Sequence, residues 1–341
     1  MPAKTTRAYE IRGSFGLDNL VLCERKQASP GPGEVLLRMR ACSLNYRDLM
    51  MIEGHYNPRQ ALPLVPLSDG VGEVVEVGEG VSELTVGERV MPIFAEAWHE
   101  GAPDRRKLAT ALGGPLPGVL CEYRITPAAA LVRVPAHLRD AEAATLPCAA
   151  VTAWSALIRH GRIRPGDKVL LQGTGGVSIF ALQFALFAGA EVLITSSSDA
   201  KLERARKLGA AHTINYRKDP NWGKTAREWA GGEGVDHVVE VGGAGTLKNS
   251  LRAVRPGASI SVIGVLSGVQ EPLLITPILM QQLRLQGIHV GSRSTFVQMC
   301  RAIDSHKMHP VVDSTFAFDE VRPALEHLRA GRHFGKVVIE L

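Results

Sequence analysis

The hydrophobic rhythm of the chain changes near residue 140. Before that point, apolar and polar positions alternate in short runs broken by glycine. GEVLLRMRACSL (33–44) and GVGEVVEVGEGVSELTVGERVMP (70–92) are the clearest cases, and a period of two with glycine turns predicts strands. Residues 95–118, AEAWHEGAPDRRKLATALGGPLPG, keep no period and read as a long loop, of the kind that is functional or mobile. DAEAATLPCAAVTAWSALIRHG (140–161) reads as a helix interrupted at Pro147.

A strand and helix rhythm then begins. Strands are predicted in DKVLLQG (167–173), AEVLITSSS (190–198), AHTINYR (211–217), VDHVVEVGG (235–243), ASISVIG (258–264) and GIHVGS (287–292). Helical stretches fall between them, the last being TPILMQQLRLQ (276–286). Six strands alternating with helices predict an α/β fold with a doubly wound parallel sheet. The tail adds helices at 294–306 and 318–330 and a closing strand, GKVVIEL (335–341).

The 341 residues suffice for two domains, and 45% hydrophobic with 21% charged residues is a globular balance. The net charge of +5 comes without a Lys/Arg run, which argues against a nucleic-acid partner but suits a polyanionic small ligand. The five cysteines are scattered with no CxxC pair, so neither a disulfide framework nor a four-cysteine zinc site is expected. The N-terminal residues lack an apolar signal region. The uncharged stretch 173–190 is long enough to suggest a membrane span, but Thr174, Ser178 and Gln183 and the strand before it make it a buried strand–turn–helix. A cytoplasmic protein without a membrane partner is expected.

The candidate chemistry starts at that turn. Gly173, Thr174, Gly175, Gly176 and Val177 follow a strand and open a helix, the context in which peptide N–H groups bind a dinucleotide pyrophosphate. The third glycine position of the GxGxxG pattern is Ser178, small enough for close helix–strand packing. At the end of the next strand, an acid would bind the ribose 2′-OH of NAD. Here Thr195, Ser196, Ser197 and Ser198 stand there, with Lys201 and Arg204 following. Hydroxyls and a cation suit a 2′-phosphate, so the expected cofactor is NADP(H). Asp199 is read as the N-cap of a helix at 199–208, and Lys201 as a phosphate ligand or a solvated helix residue.

With these residues in view, the chain resembles the medium-chain dehydrogenase/reductase superfamily over essentially its whole length. CSLNYRDL (42–49), DGVGEVVEVGEGV (69–81), GDKVLLQGTGGVS (166–178) and the terminal GKVVIEL carry the likeness, and the first two are typical of the zinc-free, quinone-oxidoreductase-like branch. The resemblance implies a discontinuous GroES-like catalytic domain, 1–149 with 292–341, around a Rossmann domain at 150–291. It places Asn45, Ser68 and Cys148 where zinc-dependent relatives hold their catalytic metal. Asn and Ser are poor zinc ligands, so no metal is expected.

Without a metal, charge left on an acceptor after hydride transfer needs a hydrogen bond or a proton from the protein. Tyr46 and Tyr56 are the candidate donors, with Asn45 orienting substrate or ribose. Each tyrosine reads equally as an aromatic wall. Asp48 is expected to form a local network with Arg47 or to cap a helix, and His55 to be exposed. The resemblance further implies cofactor contacts at Asn45, Cys148, Thr152, Tyr216, Val241, Val265, Leu266, Gly291, Ser292 and Lys336. A lysine at the position of Lys336 reads alternatively as merely solvated. Phe94 and Trp98 are candidate pocket residues.

The function implied is zinc-independent, NADP(H)-dependent hydride transfer involving a small carbonyl or alcohol. An enone, enoyl or quinone reductase is the alternative, and a non-catalytic NADPH-binding protein is the alternative of another class. The resemblance implies a homodimer paired near 285–290.

Overall fold

The computed structural model describes residues 5–341. They form two compact units. One runs to Val151 and resumes at Gly291–Leu341; the other is Thr152–Val290.

The alternating N-terminal sequence forms strands β1 (Thr5–Ile11), β2 (Leu20–Lys26), β3 (Glu34–Ser43), β4 (Asp69–Val77), β5 (Arg89–Pro92), β6 (Tyr123–Pro127) and β7 (Leu131–Arg133). Helix α1 (Tyr46–Ile52) follows β3, and α2 (Arg105–Leu108) lies in the stretch expected to be a loop. That stretch is packed rather than open. Phe94, Ala95, Trp98, Ala111 and Leu112 are buried, and Ala95 bridges Ala111. Its buried residues come singly or in adjacent pairs separated by polar stretches, so no period announces them. Phe94 and Trp98 are consequently core residues, with Trp98 Nε1 donating to the Gly101 carbonyl at 3.1 Å.

The single interrupted helix expected at 140–161 is four short pieces: α3 (Asp140–Ala143), a π-helical turn at Leu146–Ala150, α4 (Val151–Trp154) and a second π turn at Ser155–Gly161. Strands β8 (Lys168–Gln172), β9 (Glu191–Ser196), β10 (His212–Asn215), β11 (Val235–Glu240), β12 (Val254–Val262) and β13 (Arg284–Gly287) then alternate with helices. These are α5 (Gly176–Phe187), α6 (Asp199–Lys207), α7 (Trp222–Trp229), α8 (Ala244–Ala253) and α9 (Thr276–Met280). The last strand lies earlier than its expected place at 287–292. Gln282 takes a left-handed φ of 51°, which stops the helix, and the Arg284 guanidinium bonds Ser259 Oγ and sets the strand beside β12. Helix α10 (Arg293–Ser305), strand β14 (Val312–Ala317), helix α11 (Val321–Arg329) and strand β15 (Lys336–Glu340) close the chain.

In the first unit, β1 and β2 pair antiparallel, and the larger sheet has the order β14-β15-β3-β4-β5-β7 with β6 on β3. Its core gathers Val35, Leu37, Leu49, Ile52, Leu325 and Val337. In the second unit all six strands are parallel, in the order β10-β9-β8-β11-β12-β13. Its core includes Leu170, Leu193, Val238 and Ile260. The central β8 is buried from Val169 to Gln172, as a strand covered on both faces must be. The strand order reverses between β8 and β11, and ligands of such sheets bind beyond the strand ends at that reversal. Among the described residues no helix is long and apolar enough to cross a membrane.

Candidate active site

The glycine turn occupies the end of β8. Gly173 has φ of +72° with nothing near the place of a Cβ, so its backbone angle, not crowding, calls for glycine. Gly175 is the N-cap of α5 and no side chain caps that helix. The first peptide N–H groups, beginning with Gly176 and Val177, therefore stay available to an anion at the positive end of the helix dipole. Ser178 is buried and its hydroxyl donates to the Gln172 carbonyl at 2.5 Å, tethering helix to strand where a third glycine would allow only close approach.

Behind the turn lies a buried polar knot that sequence reasoning missed. Glu240 is wholly buried. Its Oε1 accepts from the N–H groups of Gly242 (2.8 Å) and Gly243 (3.0 Å) and from Thr246 Oγ1 (2.5 Å). Its Oε2 accepts from Gln172 Nε2 (2.6 Å) and Ser250 Oγ (2.5 Å). Gln172 Oε1 in turn accepts from the N–H groups of Val241 and Gly242. Five donors satisfy a carboxylate that would otherwise be costly to bury, and the knot fixes the ends of β8 and β11 together. The available signal was a polar residue closing each of two apolar strands. A Cβ on Gly243 would stand 2.7 Å from the Gly268 carbonyl, so this glycine lets the loop carrying Val265 and Leu266 close on the end of β11.

At the tip of β9, Ser196 is buried and accepts from the Ser198 N–H at 3.3 Å, while Ser197 is half-buried. The helix cap is Ser198, whose Oγ accepts from the Lys201 N–H, and not Asp199 as expected. Asp199 is the first helical residue. Its carboxylate is held by Asn215 Nδ2 (2.8 Å) and Lys218 Nζ (2.7 Å), which keep it below the usual carboxylate range. Tyr216 donates its N–H to the Ser196 carbonyl and leaves its ring exposed. Ser196, Ser197, Lys201 and Tyr216 thus stand at one end of the sheet. Thr152 and Thr174 are buried in the same unit.

The first unit assembles a second cluster from distant stretches. Asn45 precedes α1, and its N–H donates to Asp48 Oδ2 at 2.8 Å. Asn45 Oδ1 accepts from Lys336 Nζ at 2.6 Å, and the same ammonium donates to the Leu44 carbonyl. Lys336 is 3% exposed, so it is not the solvated lysine that its place near the terminus allowed. Asp69, unremarked in the sequence, is the hub: Oδ1 accepts from Ser68 Oγ at 2.7 Å and Oδ2 from the Cys148 N–H at 3.1 Å. Burial pushes Asp48 up to about 6 against the opposing charge of Arg47. Burial likewise raises Asp69, with Lys336 opposing, and burial together with Asp69 lifts the Cys148 thiol far above its ordinary range.

Both tyrosines expose part of their rings, Tyr46 at 49% and Tyr56 at 43%. The Arg47 guanidinium lies over the Tyr56 ring, 4.9 Å from its centroid, and within 3.7 Å of Asp48, so Asp48 both caps α1 and meets Arg47. His55 is exposed and faces Glu53 at 3.5 Å. Ser292 is buried and committed as the N-cap of α10, so beside Gly291 only its backbone is left for a ligand. Among the described residues no three of His, Cys, Asp and Glu are grouped so as to hold a metal.

Comparisons with known proteins follow this geometry. Residues 31–136 match the family described as alcohol dehydrogenase GroES-like domain, and residues 176–305 the family described as zinc-binding dehydrogenase. The chain is 46% identical to a zinc-type alcohol dehydrogenase-like protein of Schizosaccharomyces pombe, with 91% of each chain covered. It is 32% identical to a 2-haloacrylate reductase of Burkholderia sp., covering 97% of this chain and 98% of that one. Among solved structures, an NAD-dependent alcohol dehydrogenase superposes with a TM-score of 0.90 at 33% identity, covering 98% of this chain and 99% of that one.

Proposed function

The chain belongs to the medium-chain dehydrogenase/reductase superfamily and is an alcohol dehydrogenase-like, nicotinamide-dependent oxidoreductase, and from that premise we propose that it is a zinc-independent, NADP(H)-dependent carbonyl reductase or alcohol dehydrogenase. The bound nicotinamide supplies or receives the hydride. The uncapped N-terminus of α5 and the Gly173 turn receive its pyrophosphate. Ser196, Ser197, Lys201 and Tyr216 receive the 2′-phosphate. The observation that carries the NADP(H) reading is the tethered Asp199: Asn215 and Lys218 bond its two oxygens, so its charge is partly offset and its carboxylate is turned to β10.

The donor set carries the zinc-independent reading. Lys336 occupies Asn45 Oδ1 and Ser68 donates to Asp69, which leaves Cys148 the one residue of the three with a donor that zinc prefers. These three residues do not fit a zinc ion, which asks for thiolate, imidazole or carboxylate donors. An ammonium fixed among buried carboxylates is the local cation instead.

Hydride reaching a carbonyl carbon leaves an oxygen that needs a proton. Tyr56 is the donor in this reading, because Arg47 holds its ring while the phenol edge stays open. Tyr46 is the second candidate. Hydride transfer to an activated C=C is the alternative reaction, favoured by the relative named for reduction of a haloacrylate. A panel of saturated aldehydes and ketones set against enones and quinones, each with NADPH, decides between them. Turnover confined to enones and quinones would replace carbonyl reduction by the alternative.

A second copy of the chain is the partner in this reading. Val269, Leu274, Ile275, Leu279 and Met280 are exposed in the segment that leads into β13, an edge strand. Sedimentation should give a dimer, and Leu279→Asp with Met280→Asp a monomer.

A further inference from the structure

We propose that Arg47 is a positioning residue of the reaction, a clamp that fixes Tyr56 and the 94–114 excursion to the start of α1; this rests on the reading of Tyr56 as proton donor. The guanidinium lies over two rings. Its Cζ lies 4.9 Å from the Tyr56 ring centroid and 4.9 Å from that of Phe94. Its edge is directed to the excursion: Nη1 donates to the Leu112 carbonyl at 2.9 Å and Nη2 to the Gly114 carbonyl at 3.0 Å. Nη1 also stands 3.7 Å from Asp48 Oδ1, and the side chain is 10% exposed. With two rings beside it and both terminal nitrogens engaged, Arg47 is built to hold protein and not to bind an anionic substrate.

The arrangement uses properties that only arginine combines. A planar cation stacks two rings at once, and its fork reaches two carbonyls in fixed directions. Phe94 is buried, and its carbonyl accepts from the Leu112 N–H at 2.9 Å, so the far side of the clamp is itself anchored. Tyr56 has no comparable anchor. Its backbone N–H bonds the Met50 carbonyl at 3.1 Å, which places the main chain, while the ring is placed by the guanidinium. Arg47 is two residues from Asn45 and next to Asp48, so one turn of α1 sets the phenol and the buried Asn45–Lys336 pair in a single frame. A proton donor misplaced by about 1 Å loses orders of magnitude in rate, and the clamp therefore acts on kcat.

The test is a double-mutant cycle on the full-length protein, read as kcat, KM and the dissociation constant for NADPH. Arg47→Met should lower kcat about tenfold and leave NADPH affinity within twofold. In a Tyr56→Phe background the same substitution should change kcat less than twofold, because the group it positions is already gone. Arg47→Lys, which keeps the charge and one carbonyl bond but no stacking plane, should recover only part of the loss. Phe94→Leu, which removes one stacking face and keeps an apolar side chain, should lower kcat about threefold if the Met variant does not fold. An equal loss from Arg47→Met with and without the Tyr56 hydroxyl would overturn the clamp while sparing Tyr56. Wild-type kcat in both Arg47→Met and Phe94→Leu would overturn it too. Full activity of Tyr56→Phe alone would remove Tyr56 as donor, and with it the role assigned to Arg47.

Discussion

The glycine turn after β8 and the cluster around Asp69 answer the same need, holding a charged group in place, by opposite means. The turn works with backbone. Gly173 supplies a left-handed φ, Gly175 leaves the α5 N-terminus uncapped, and recognition falls to peptide N–H groups within a few consecutive residues. The Asp69 cluster works with side chains. Asn45, Asp69, Cys148 and Lys336 come from four separate stretches and meet only after β3, β4 and β15 have paired. A backbone site tolerates most side chains and constrains the backbone angle at particular points. A side-chain site tolerates distance in sequence and forbids the loss of a partner.

That difference can be tested hardest at Lys336. Lys336→Met would leave Asn45 Oδ1 without its donor and the buried Asp69 without its opposing cation, and losing one partner of a buried charge cluster costs about 3–5 kcal/mol. Chemical denaturation should show that loss, and an unchanged midpoint would mean that the ammonium does not hold the cluster.

Tyr56→Phe comes next. It should lower kcat about a hundredfold, the scale of general acid catalysis, with NADPH affinity unchanged. Stopped-flow turnover and cofactor titration separate the two quantities.

Asp48 gives a pH signature of similar size. Its native carboxyl titrates at about 6, above the ordinary 3.8, so between those values the native state binds the extra proton. Stability contributed by the protonated form is present below about pH 4 and is lost as pH rises to about 6, by about 2–3 kcal/mol. Asp48→Asn should lack that slope relative to wild type in denaturation curves from pH 4 to 7. Identical slopes would contradict the burial argument.

The smallest effect belongs to the backbone-built unit. Ser196→Asp puts a charge at the tip of β9 and should weaken NADPH binding about tenfold, or about 1.4 kcal/mol, while NADH binding holds or improves. Fluorescence titration with both cofactors reads it.

The two regions also differ in how far they could be read from the chain. The six-strand rhythm, the turn at 173–177 and the absence of an acid at 195–198 are local patterns, and local patterns survive in a sequence. Helix caps are harder to read: Asp199 and Ser198 are both good cap residues, and the extended backbone at Ser198 with its bond from the Lys201 N–H makes Ser198 the cap. The packed excursion at 95–118 and strand β13 were misplaced because scattered buried residues and one left-handed Gln282 leave no periodic mark. Asp69, Glu240 and the stacking of Arg47 were invisible, since each also depends on a partner dozens of residues away. Asn45, Ser68, Cys148 and Lys336 were singled out through resemblance, which carries three-dimensional information that composition and spacing do not.

The most direct measurement is cofactor oxidation by chelator-treated protein, its zinc content verified as far below one per chain, with NADPH and NADH run in parallel on a saturated aldehyde or ketone. Sustained turnover with NADPH, much slower turnover with NADH and no gain on adding zinc are the predicted result. Activity that appears only after zinc is restored, or that prefers NADH, would contradict it.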